Sequence, residues 1–93
     1  MVNLVKLVDW ATNSSTKIGG ERAAKLVEVY AKRSFIPPDI KGILLQVASL
    51  YKTSPATVAA NDVIGEVTKL DAALGRSVNP EEAIAMIEEA GVG

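Results

Sequence analysis

The sequence predicts an all-α fold: a single compact domain of about five short helices in orthogonal packing. Three observations predict it. Apolar residues recur at three- and four-residue spacing through most of the chain, the period of one helical face. Hydrophobic residues make up 48% of the chain, many of them Ala, and aromatics only 4%, a composition suited to close helix packing. Proline and glycine breaks separate the periodic stretches and no heptad persists, which argues for orthogonal helices rather than a long coiled coil. The 93 residues make one domain, 1–93. A chain this short buries a modest fraction of its surface, so its core must be efficient.

The first helix is expected from Asn3 to Ala11. Asn3 caps it, and Leu4, Leu7, Val8 and Ala11 share a face. The run Thr12-Asn13-Ser14-Ser15-Thr16 competes for backbone hydrogen bonds and predicts a loop. The second helix spans Gly20 to Ser34. Its stripe is Ala23, Leu26, Val27, Tyr30 and Ala31, and the pairs Glu21–Lys25 and Glu28–Lys32 mark its solvated face.

Phe35-Ile36-Pro37-Pro38 breaks that helix, because proline holds the preceding residue extended. Pro38 then opens a third helix, running to Lys52. Ile40, Ile43, Leu44, Val47 and Tyr51 form its face with Ala48 beside it. Leu45 and Leu50 widen the apolar surface and predict a central position. Gly42 costs this helix about 1 kcal/mol relative to Ala, which a close helix crossing would explain.

Ser54-Pro55 reads as a cap and first-turn proline, starting a fourth helix that runs to Leu74. Its stripe is Ala60, Val63, Ile64, Val67, Leu70 and Leu74, with Asn61-Asp62 or Gly65 as places where it splits. Gly75 ends it. Asn79-Pro80-Glu81-Glu82 starts a fifth helix: a cap, a first-turn proline and two acids at the positive end of the dipole. This helix runs to Ala90 and buries Ala83, Ile84 and Ile87. Gly91-Val92-Gly93 frays.

Composition narrows the chemistry. Without Cys there is no disulfide or thiolate site, and without His the commonest general base and nitrogen ligand are missing. Ser and Thr therefore lack an activating imidazole. Glu81, Glu82, Glu88 and Glu89 crowd one short helix, where they read as helix-end and solubilising charges rather than ligands. Gly19-Gly20 follows no strand and lacks a phosphate-loop context, so it reads as a turn. Neither an enzyme nor a cofactor or metal is indicated. No apolar run approaches the ~20 residues that span a bilayer, and the start does not resemble a signal peptide. Membrane insertion is not expected, and a cytoplasmic location is.

Charge is unevenly placed. Residues 1–52 carry eight Lys/Arg against four Asp/Glu, a net +4, and residues 53–93 carry two against seven, a net −5. One reading is two helical groups whose solvated faces attract. The other is a basic docking surface for an acidic partner. On the second reading Arg22, Lys25, Lys32 and Arg33 flank the Phe35-Ile36 turn, a basic rim around an apolar anchor. The competing reading folds Phe35 back to close the core between the second and third helices.

Two resemblances suggest a biological setting. Trp10 is followed nine residues later by Gly19-Gly20, then by Ala23-Ala24-Lys25-Leu26-Val27-Glu28-Val29-Tyr30, Phe35-Ile36-Pro37-Pro38-Asp39-Ile40 and Leu44-Leu45-Gln46-Val47-Ala48. Residues 10–48 resemble the small helical domain of the archaellum (archaeal flagellum) accessory proteins C, D and E. There a Trp-led helix meets a Gly about two and a half turns on, and two further helices follow. The resemblance implies a non-enzymatic adaptor at the cytoplasmic side of the motility motor, with motor or chemotaxis proteins as partners. A homo-oligomer is also compatible with it. Residues 47–58, Val47-Ala48 through Ser54-Pro55-Ala56-Thr57-Val58, resemble a repressor-type helix-turn-helix. That implies DNA read by the start of the fourth helix. Lys52 at the turn, the non-basic Ala59-Ala60-Asn61-Asp62 and the acidic second half make DNA the weaker alternative to a protein partner.

Overall fold

A computed structural model describes residues 3–77 and 79–92; Val78, like Met1, Val2 and Gly93, lies outside the described residues, and so does the end of the expected C-terminal fray. Five helices fill it: α1 (Leu4–Ile18), α2 (Gly20–Lys32), α3 (Pro38–Ser49), α4 (Ala60–Ala73) and α5 (Pro80–Ala90). The all-α expectation holds, and no strand occurs among the described residues.

Asn3 caps α1 as the sequence predicts, its side chain accepting from the Lys6 N–H. The loop expected over 12–16 does not form; α1 continues to Ile18. The reason is tertiary. Leu7, Ala11, Ser14 and Ile18 repeat on one face, and Trp10 and Ser15 join them in the interior. Two of the five polar side chains in that run bond in ways a helix allows: Thr16 donates to the Thr12 carbonyl, and Ser14 donates to Glu66 on α4.

Gly19 ends α1 and starts α2 with φ +95°, a conformation that favours glycine. A Cβ on Gly19 would overlap the Ser54 side chain, and one on Gly20 would overlap the carbonyls of Ala48 and Tyr51. The close crossing therefore lies where α2 begins against the end of α3. Gly42, where it was expected, faces open space.

In α2 the expected Ala23, Leu26, Val27 and Tyr30 are buried, and Val29 joins them. The helix stops at Lys32, two residues earlier than expected. Ser34 turns left-handed at φ 66°, and the Phe35 N–H reaches back to the Tyr30 carbonyl. Pro38 starts α3 as expected, behind an extended Pro37. The central position expected of α3 falls instead to α1 and α2, each of which packs mainly on three other helices. Within α3 only Leu44 and Ala48 are buried; Val47 is half-buried and Ile43 exposed.

Tyr51 to Ala59 carries no helix, and α4 begins at Ala60 rather than Pro55. A helix starting at Pro55 would use the Pro55 and Ala56 carbonyls to accept from N–H groups one turn on. Here the Arg22 guanidinium takes both, at 2.6 and 3.0 Å. Once started, α4 runs unbroken through Gly65. It buries Val63, Val67 and Leu70, leaving Ile64 39% exposed. Gly75 closes it at φ +72°, as expected, with the Arg76 N–H on the Asp71 carbonyl. Asn79 caps α5 through the N–H groups of Glu81 and Glu82. α5 buries Ala83, Met86 and Ile87, while Ile84 is 49% exposed. Val92, expected to fray, is buried and donates to the Ile87 carbonyl.

Candidate functional site: the basic rim, the buried acids and the outer face of the third helix

The six residues of the expected docking surface are placed mostly as structure. Arg22 clamps the 51–59 connection through Pro55 and Ala56 and also donates to the Ile18 carbonyl at 3.3 Å. Lys25 pairs with Glu21 at 3.6 Å along its own helix. Lys32 and Arg33 both meet Glu89 of α5, at 3.9 and 3.0 Å. Ile36 is 1% exposed and belongs to the core. Phe35 is half-buried, edge-on to Tyr30 with ring centroids 5.9 Å apart. Its other neighbour is Arg76, whose guanidinium carbon lies 3.5 Å from the ring centroid. An apolar anchor in a free basic rim is therefore not assembled. The basic and acidic halves meet instead, α2 on α5 through Glu89 and α1 on α4 through Lys17 and Glu66.

Two buried acids are the polar centres that sequence reading passed over. Glu66 and Asp71 are each 1% exposed. Both fall among the apolar positions of α4, at three- and four-residue steps from Val63, Val67, Leu70 and Leu74. A charge inside an apolar stripe was the signal available.

Burying a carboxylate requires partners, and both acids have them. Glu66 accepts from Ser14 Oγ at 2.6 Å and lies 3.4 Å from Lys69 Nζ and 3.9 Å from Lys17 Nζ. Its backbone carbonyl accepts from the Trp10 indole N–H at 2.7 Å. Asp71 accepts from the Tyr30 hydroxyl at 2.7 Å, with Arg76 Nη1 at 3.6 Å. Arg76 Nη2 then donates to Glu82 at 2.7 Å. Burial, then the bond to Asp71, pushes the Tyr30 phenol far above its usual value, so it stays protonated. Each acid is held by its own cations and hydroxyls, and among the described residues no three metal-ligating side chains are gathered.

The least satisfied part of the surface is apolar. Leu50 is 76% exposed and Ile43 39% exposed. Ile43 lies on α3 and Leu50, seven residues on, is the residue that caps its C-terminus; neither shares the Leu44–Ala48 contact with the core. Val5 and Leu4, at the start of α1, are exposed at 69% and 42%. No helix among the described residues is long and apolar enough to cross a membrane. No known protein family, curated protein or solved structure matches this chain.

Proposed function

We propose that the chain is a non-enzymatic protein-interaction module, an adaptor working in the cytoplasm. The observation that carries this reading is the outer face of α3. Ile43, and Leu50 at the C-terminal cap, remain in solvent on a helix that buries only two residues, and Leu50 is the most exposed of the large apolar side chains among the described residues. Large apolar side chains grouped on one exposed face favour a partner. The archaellum-accessory resemblance supplies the setting, with motor or chemotaxis proteins as partners. DNA binding has less in its favour, since no helix starts at Pro55 to enter a groove and α4 carries Asp62 in its first turn.

The test is affinity purification from the native host with the wild type and an Ile43→Asp/Leu50→Asp variant of matched thermal stability. Motor or chemotaxis proteins retained by the wild type and lost by the variant are expected. Recovery of chromosomal DNA, or retention unchanged by the variant, overturns the reading.

A further inference from the structure

Between the end of α1 and the end of α3 lies an open hollow of about 580 Å³. Ser15 and Thr16 line one side, and Leu50, Tyr51, Lys52 and Thr53 the other. Three observations distinguish it. Ser15 is 2% exposed and its Oγ has no hydrogen-bond partner among the described residues, although its neighbours Ser14 and Thr16 are both satisfied. A buried hydroxyl without a partner is uncommon, and an incoming polar group there forms a bond the free protein lacks.

The backbone beside it is equally unengaged. Lys52, Thr53 and Ser54 lie outside any helix, and no group among the described residues pairs with their N–H or C=O groups. Such a row is what an added peptide strand pairs with. Finally, among the described residues Lys52 is the one charged side chain lining the hollow, and it enters none of their ion pairs. It stands two residues from the exposed Leu50.

We infer that this hollow is the partner site and that its occupant is an extended peptide segment carrying an aliphatic side chain next to a carboxylate. The aliphatic group covers Leu50 and Tyr51. The carboxylate meets Lys52, and the peptide backbone pairs with the 52–54 strip. A polar group at the floor satisfies Ser15 Oγ. The inference rests on the interaction reading and narrows it to one end of α3 and one chemistry of partner.

The test selects peptides from a random nonapeptide display library on the full chain and titrates the synthetic winners into the isotope-labelled protein. The expected winners carry Asp or Glu beside Leu, Ile or Val, and shift the amides of Ser15, Lys52, Thr53 and Ser54. Lys52→Glu, an exposed change, weakens them at least tenfold and turns a repeat selection toward basic peptides. Ser15→Ala weakens them several-fold without lowering the melting temperature. Winners with no acidic preference, or no winners at all, overturn the inference. Shifts centred on Ile43 or Ile84 sink the site while leaving the interaction reading intact. The same amides shifting with protein concentration alone, alongside a dimer in sedimentation, assign the hollow to a second copy and overturn the peptide.

Discussion

The Tyr30 hydroxyl on α2 donates to the Asp71 carboxylate on α4 at 2.7 Å, with both residues buried. α2 and α4 are not among the principal packing pairs, so this bond joins two helices that share little direct surface. From Asp71 the connection continues to Arg76, then to Glu82 on α5, and through the Arg76–Phe35 stack to the α2–α3 turn. Three helices and a turn are tied to one buried carboxylate. Leaving such a group short of a donor costs more than a neutral hydrogen bond contributes.

Tyr30→Phe removes the donor and leaves Asp71 buried. The expected loss is about 1–3 kcal/mol, read as a lower denaturant midpoint at unchanged slope. An Asp71→Asn partner variant completes a double-mutant cycle. A coupling near zero would mean that the bond contributes nothing to stability.

The same hydroxyl sets the alkaline limit. Its folded pKa is raised above the ordinary 10.0, first by burial and then by Asp71. Above that ordinary value the unfolded chain has released a proton that the folded chain still holds. Stability is therefore intact below about pH 10 and falls as pH rises, by up to about 1.4 kcal/mol per pH unit from this group. Thermal melts from pH 8 to 11.5 should show the fall in the wild type and a shallower one in Tyr30→Phe. Parallel curves would remove Tyr30 as the cause.

What the sequence shows of this fold divides by the range of the interactions. Asn79-Pro80 and Gly75 are legible because a cap needs only its own neighbours. The end of α1 is not, because the partner that lets Ser14 sit in a helix is Glu66, 52 residues away. The start of α4 is hidden for the same reason: Arg22, 33 residues upstream, takes the carbonyl that a helix from Pro55 would use. The basic rim is visible as composition, but the acid that meets Lys32 and Arg33 is Glu89 of α5, 56 residues beyond Arg33. The exposed Leu50 looked like core because periodicity locates an apolar face without saying whether a neighbour covers it.

Phe35→Ala should lower the melting temperature. The side chain is half-buried and provides both an edge contact to Tyr30 and a platform for Arg76. Losing both should cost about 2–3 kcal/mol. An unchanged melting temperature would return Phe35 to the role of surface anchor.

Leu44→Ala deletes a side chain with no exposed surface from the helix that contributes least to the core. The expected cost is about 2–5 kcal/mol. Denaturant unfolding at an unchanged midpoint would show that α3 is not docked through Leu44.

Gly20 and Gly42 separate backbone approach from helix propensity within one protein. Both lie in helices, where Ala is ordinarily better by about 1 kcal/mol. At Gly42 a Cβ meets open space, so Gly42→Ala should stabilise by about 0.5–1 kcal/mol. At Gly20 the same atom would overlap the Ala48 and Tyr51 carbonyls, which are backbone and cannot swing aside. Gly20→Ala must push the end of α3 away from α2, an overpacking that costs about 1–3 kcal/mol. Melting temperatures moving in opposite directions are expected for the two variants. Stabilisation by both would mean that α2 and α3 do not meet at Gly20, and would also free the end of α3 from the position that shapes the hollow beside Leu50.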